Sequence, residues 1–242
     1  MKILGVIPAR YESSRFPGKP LVDICGKPMI WWVYNQVEKV NKIDEVYVAT
    51  DDKRIEKACL SYNMNVIMTS KEHKTGTDRV AEVAQLIEAD YYINIQGDEP
   101  LIEPQNIQKI VDLCGAEGKD FEIVNVMTKI RNKEDIQKST IVKVIFNENN
   151  DLIYLSRLQI PFSKNGESIQ YYKHLGLYSL TRNALLFFAK TPRAKIEKIE
   201  DIEMLRFLEN GYKIKMLEVT SETIAIDVKE DLENVLKIME KY

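Results

Sequence analysis

The run Pro8-Ala9-Arg10-Tyr11-Glu12-Ser13-Ser14-Arg15-Phe16-Pro17-Gly18-Lys19-Pro20 gathers three cations, two serines and a glycine in one short stretch. Arg10, Arg15 and Lys19 can converge there on a polyphosphate while backbone N–H groups approach it; the competing reading is a solvated basic loop. It is no Walker loop, because Gly18-Lys19 is followed by Pro20 instead of a hydroxyl, and no G-x-G-x-x-G opens a helix. Farther on, Asn94-Ile95-Gln96-Gly97-Asp98-Glu99-Pro100 closes the apolar run Tyr91 to Ile95. A carboxylate just past a buried strand, beside a glycine that lets a ligand approach, suits a magnesium ion, or Asp98 caps the next segment. Thr75-Gly76-Thr77-Asp78-Arg79 heads a helix, where Thr75 or Thr77 can cap and the same residues can bind. Weaker signals are Lys173-His174-Leu175-Gly176-Leu177-Tyr178, then Glu197, Glu200, Glu203 and Arg206 at helical spacing, then Asp227. Helix-face glutamates are ordinarily solvated, and adjacent Asp51-Asp52 reads as a helix N-terminus favoured by the dipole.

Placing such residues together requires strand ends. Ile3 to Ile7 reads as a buried strand whose carboxyl end opens the cationic loop. A helix begins at Pro28 with Ile30, Val33, Val37 and Val40 as its apolar stripe, and the alternation continues. Strands are expected at Glu45 to Thr50, Asn65 to Met68, Tyr91 to Ile95 and Glu122 to Val126; helices at Lys53 to Tyr62, Thr77 to Glu88 and Pro104 to Leu113. This rhythm predicts an α/β fold with a doubly wound, mainly parallel sheet. After about residue 140 the pattern changes. Ile141 to Phe146 and Leu152 to Leu155 flank the turn Asn147-Glu148-Asn149-Asn150 as a hairpin, and Tyr172 to Leu180 reads as a further strand. Helices over Asn183 to Ala189 and Glu197 to Glu209 follow, the second stopped by Asn210-Gly211. Lys213 to Val219 is a late strand and Lys229 to Lys241 a final amphipathic helix. The expectation is one domain over 1–242: a core over 1–140, a small β-rich lobe over 141–182 and C-terminal helices over 183–242.

Composition narrows the function classes. The 242 residues are 45% hydrophobic, enough for a sizeable core, and 34 Lys+Arg against 37 Asp+Glu leave a net charge of -3. No cationic field covers the whole chain, so nucleic acid is not an expected partner. Cys25, Cys59 and Cys114 are odd in number and form no C-x-x-C, which points to a reducing cytoplasm. The longest clearly apolar run, Ala184 to Ala189, is far short of a span, and Pro8 and Arg10 interrupt the apolar start, so neither membrane anchor nor signal peptide is expected. With two histidines, histidine-based acid/base chemistry is a thin option.

Taken in order, IPARYESSRFPGKPL, VATDD, MTSKEHKTGTDR, INIQGDEPLI, LSRLQIPF, YKHLGLYSLTR, IEKIEDIEMLR and IDVKEDLENV resemble successive motifs of the 3-deoxy-D-manno-octulosonate cytidylyltransferases, also called CMP-Kdo synthetases. The resemblance implies a nucleotide-diphosphosugar-transferase-like fold, a homodimer, CTP and Mg2+, and a 2-keto-3-deoxy sugar acid activated for lipopolysaccharide or capsule. It further implies that Arg10, Arg15 and Lys19, with the backbone around Ala9 and Ser13, hold the triphosphate, and that Arg15 and Lys19 help pyrophosphate leave. Asp98 and Asp227 would hold magnesium. Thr77 and Arg79 would line the cytosine and ribose side, and Gln96, Arg157, His174 and Glu203 the sugar pocket, with Arg157 on the sugar's carboxylate. Metal-assisted attack by the sugar hydroxyl would need no histidine base.

Two departures stand out. Ile202-Glu203-Met204-Leu205-Arg206 replaces the common Leu-Glu-Gln-Leu-Arg, which puts Met204 where a polar residue is expected near the sugar and suggests an altered sugar. Ile226-Asp227-Val228 replaces Val-Asp-Thr, losing a hydroxyl and keeping the carboxylate. SSRFPGKP and YKHLGLYSLTR also resemble the relatives that use 8-amino-3,8-dideoxy-manno-octulosonate. Against a glycosyltransferase, Asp98 is followed by Glu99-Pro100 instead of completing a D-x-D. A non-enzymatic nucleotide-binding regulator is the rival from another class.

Overall fold

A computed structural model describes residues 1–12, 15–114, 116, 121–220 and 224–239. In chain order the elements are β1 (Ile3–Ala9), a 3-10 turn (Lys19–Leu21), β2 (Asp23–Ile24), β3 (Lys27–Pro28), α1 (Met29–Glu38), β4 (Glu45–Thr50), α2 (Lys53–Ser61) and β5 (Val66–Met68). Next come α3 (Gly76–Leu86), β6 (Tyr91–Ile95), α4 (Pro104–Cys114), β7 (Ile123–Lys129), α5 (Lys133–Gln137), β8 (Lys143–Phe146), β9 (Leu152–Ser156) and β10 (Tyr172–Thr181). The chain continues through α6 (Arg182–Lys190), α7 (Lys195–Glu200), α8 (Met204–Glu209), β11 (Lys215–Glu218) and α9 (Lys229–Met239). Part of the expected last helix, and Ser13 of the expected nucleotide site, lie outside the described residues.

Among the described residues the main sheet runs β11-β7-β10-β6-β1-β4-β5, with β8 pairing β10 and β9 pairing β8. Strands β1, β4, β5 and β6 are mutually parallel, as the alternation predicts. Successive crossovers step from β1 to β4 to β5, then return past β1 to β6, which makes the carboxyl ends of β1 and β6 a switch point where a crevice forms. Strand β10 enters antiparallel between β6 and β7, so the second half elaborates the first sheet.

Both faces of β1 are covered, hence its unbroken apolar sequence. Ile3 and Ile7 pack with α1, α2 and α4 through Ile30, Val33, Ile55 and Ile110, while Leu4 and Val6 pack with α3, α6 and α8 through Val80, Leu185 and Phe207. A third cluster joins Phe16 of the first loop, Met29 of α1, Ile226 just ahead of α9 and Val235 within α9. That cluster brings the two ends of the chain together. Among the described residues no helix is long and apolar enough to cross a membrane.

The single helix expected over Glu197 to Glu209 is instead two, α7 and α8, broken at Asp201, which adopts left-handed φ 52°. Charge spacing alone could not reveal the break, because Glu197 and Arg206 still meet across it as a buried pair at 2.7 Å. Met204 also departs from the expectation. Its side chain is fully buried in the cluster with Leu205 and Phe207, so it fills core and does not face a ligand.

Candidate active site

The carboxyl ends of β1 and β6 open on a cleft of about 380 Å³. Its first wall is the expected cationic loop. Gly18, at φ 75°, starts the 3-10 turn that carries Lys19, and its N–H donates to the Tyr11 carbonyl at 2.8 Å, folding the loop back on itself. Tyr11 is held from outside by the Arg54 guanidinium, 3.3 Å from its ring centre, which Asp52 fixes at 2.6 Å. Arg10, Arg15 and Lys19 line the cleft with the buried Ala9, as expected.

The second wall is the turn after β6. Gly97 is required here, since a Cβ would lie 2.9 Å from the Pro8 carbonyl oxygen. This close approach of β6 to β1 sets Gln96 and Asp98 on the cleft. Asp227 arrives from 129 positions away (227 minus 98) because Ile226 is buried in the third cluster and its N–H donates to the Asp98 carbonyl at 2.9 Å. Asp231 fixes the same turn by accepting from the N–H groups of Asp227 and Val228 at 2.8 and 3.0 Å. The two carboxylates thus meet at one ammonium: Lys19 Nζ lies 2.7 Å from Asp98 and 3.3 Å from Asp227, and Arg15 lies 3.1 Å from Asp227.

That arrangement allows a test of the metal the sequence implies. Two carboxylates already share one cation, and among the described residues no third His, Cys, Asp or Glu completes a cage. A pair of acidic oxygens in a cation-lined cleft fits magnesium, which keeps several waters and takes phosphate oxygens where a substrate supplies them.

The third wall combines the head of α3 with the segment around α7. Thr75 caps α3 in a capping box with Asp78, both bonds being 3.1 Å. Arg79 lines the cleft but is firmly held, donating to Thr69 at 2.6 Å and pairing with Asp51 at 3.2 Å. Thr77 does not line it. Thr77 is fully buried and bonds the Glu203 carboxylate through its side chain and backbone. Burial pushes the Glu203 carboxyl up, the Thr77 hydrogen bonds act against that rise, and the Asp78 charge adds to it. Glu203 faces the cleft because the break at Asp201 turns it there.

Two expected sugar-pocket residues stand behind the wall. The structure does not bring the Arg157 guanidinium into the cleft: it donates to the main-chain carbonyls of Ser139, Glu200 and Asp201 at 2.6 to 3.1 Å, which commits its fork to fixing α7. His174 lies 2.8 Å from the Tyr178 hydroxyl and is likewise off the lining. Burial, with the Arg157 charge second, lowers its pKa to about 4, so the ring is neutral at pH 7.

Sequence reasoning missed His73, Lys74, Arg193 and Asp201, all on the cleft. A cation directly ahead of the Thr75 capping box was a usable signal for Lys74, since a helix N-terminus and a lysine favour the same anion. Arg193 had none. It is oriented by Asp201 at 2.7 Å and by the wholly buried Glu197 at 3.3 Å, and Glu197 is fixed in turn by Arg206.

Comparison with known proteins identifies the family. The family described as Cytidylyltransferase matches residues 4–215. A 3-deoxy-manno-octulosonate cytidylyltransferase of Fusobacterium nucleatum is 44% identical over 242 residues, covering 100% of this chain and 98% of that protein. An 8-amino-3,8-dideoxy-manno-octulosonate cytidylyltransferase of Shewanella pealeana is 40% identical, covering 96% of each. A solved CMP:2-keto-3-deoxy-manno-octonic acid synthetase complexed with CTP superimposes with a TM-score of 0.95 at 39% identity, over 100% of this chain and 99% of that one. Sequence and backbone agree over the full length, and the chain belongs to the 3-deoxy-manno-octulosonate cytidylyltransferase family.

Proposed function

We propose that the cleft transfers the cytidylyl group of CTP to the anomeric hydroxyl of a 3-deoxy-manno-octulosonate-type sugar acid and releases pyrophosphate. The observation that carries this reading is the convergence of Arg10, Arg15 and Lys19 with Asp98 and Asp227 at the switch point, in a chain of this family. The reaction forms the bond from the sugar oxygen to the α-phosphorus, breaks the bond from that phosphorus to the pyrophosphate oxygen, and gives up the hydroxyl proton to water. Positioning and charge neutralisation serve such a transfer better than a covalent intermediate. Arg15 and Lys19 neutralise the departing pyrophosphate, Arg10 and Lys74 hold the triphosphate against the Ala9 turn, and Arg79 borders the nucleoside. Gln96 and Glu203 meet the sugar. Asp98 and Asp227 would hold magnesium, which when bound lowers the pKa of a coordinated hydroxyl and shields phosphate charge.

The test is pyrophosphate release with CTP, magnesium and a panel of 3-deoxy-manno-octulosonate, its 8-amino analogue and a sialic-type acid. Release with the first alone supports the proposal, and release with none refutes it. Preference for the 8-amino acid would support the second reading, which the Shewanella relatives at 40–41% identity favour.

We further propose a homodimer in a reducing cytoplasm. Leu158 and Phe162, 74% and 86% exposed in the segment after β9, offer an apolar surface to a second copy, and the three cysteines are free. Phe162→Glu should shift the protein to monomer in sedimentation; an unchanged dimer would place the contact elsewhere.

A further inference from the structure

Lys19 belongs to two expected groups at once. It is one of the cations suited to a triphosphate, and its ammonium touches both carboxylates suited to a divalent ion. Nζ lies 2.7 Å from Asp98 Oδ2 and 3.3 Å from Asp227 Oδ1, and that same Asp227 oxygen takes Arg15 at 3.1 Å. Two carboxylates and two cations cancel. Lys19 is the more enclosed cation, its side chain 12% exposed against 60% for Arg15, and it is presented by a 3-10 turn with Pro20 buried behind it.

A hard divalent ion binds through the oxygens to which Lys19 donates. Ammonium and divalent ion therefore compete for Asp98 Oδ2 and Asp227 Oδ1, and like charges at such separation also repel. A triphosphate changes the balance, because it gives Lys19 and Arg15 other anionic oxygens on the same cleft wall.

We propose that Lys19, supported by Arg15, is an internal counter-ion that makes divalent-ion binding at Asp98 and Asp227 conditional on the triphosphate. Phosphate oxygens draw the two cations off the carboxylates, so nucleotide and metal load together, and the coupling is reciprocal. The proposal rests on reading the cleft as the CTP site, but its test requires no turnover.

The experiment titrates Mn2+ into the full-length protein without nucleotide and reads free Mn2+ by electron paramagnetic resonance. Lys19→Met is expected to bind Mn2+ at least about tenfold more tightly than the wild type. Lys19→Met with Arg15→Met binds more tightly still, and adding Asp98→Asn to Lys19→Met removes the gain. Lys19→Gln serves as the second variant, with thermal melts to verify folding. Arg10→Met is the control for the general field, since among the described residues no ion pair joins Arg10 to either carboxylate. It should leave the affinity within about twofold. Equal or weaker Mn2+ binding by both Lys19 variants overturns the proposal, as does an equal gain in Arg10→Met. A protein that releases no pyrophosphate from CTP overturns the proposed reaction alone, and the Mn2+ comparison still decides the counter-ion.

Discussion

His174 should make the protein acid-labile in a defined window. Burial, then the positive charge of Arg157, lowers its pKa from 6.5 to about 4 in the fold. The unfolded chain therefore takes up the proton first as pH falls. A depressed folded pKa means the associated stability is fully present above pH 6.5 and drains away as pH drops toward 4. With each unit worth about 1.4 kcal/mol, the loss is roughly 2 kcal/mol at pH 5 and about 3 kcal/mol at pH 4. His174→Gln keeps a polar partner for the Tyr178 hydroxyl without the titration. Urea unfolding of both proteins at pH 7 and pH 5 isolates the effect, because His73 and every carboxylate are common to the two. The wild type should lose about 2 kcal/mol more than His174→Gln between those pH values. Parallel losses, agreeing within about 0.5 kcal/mol, would refute the claim that this imidazole is held neutral by its enclosure.

Gly176→Ala places a Cβ 2.4 Å from Gln96 Cγ, so Gln96 must rotate off the cleft. Steady-state kinetics should show a raised KM for the sugar acid with the KM for CTP nearly unchanged, at a stability loss of about 1–2 kcal/mol. Arg206→Met leaves Glu197 buried without the partner it now holds at 2.7 and 2.9 Å, and denaturant unfolding should register about 3–5 kcal/mol of lost stability. Met204→Gln buries an amide in the apolar cluster of α8, so it should cost about 2 kcal/mol or more and leave the preference among sugar acids unchanged. A shifted preference at undiminished stability would return Met204 to the cleft.

What was legible in the sequence was what local chemistry encodes. Short apolar runs marked β1, β4, β6 and β7, and the residues that follow β1 and β6 had to share a crevice once the sheet was parallel. Asp98 and Lys19 were found on that basis, and Asp227 by resemblance. Less legible was anything set by burial across the chain. The resemblance puts Arg157 on the sugar's carboxylate, yet three carbonyls claim its guanidinium. Thr77 reads as a cleft hydroxyl, yet it is enclosed and serves Glu203. Arg193 became visible only with Glu197, whose charge spacing looks like an ordinary solvated face although its carboxylate is wholly buried. The insertion of β10 between β6 and β7 had no local signal either, since strand order is decided by packing.

On the proposed reaction, Asp98 and Asp227, gathered beside Lys19, serve the transfer of a cytidylyl group. Asp98→Asn and Asp227→Asn keep shape and remove charge, so thermal melts should stay near wild type while pyrophosphate release from CTP and the sugar acid falls by about 100-fold or more in each. Full turnover in both variants would contradict the account.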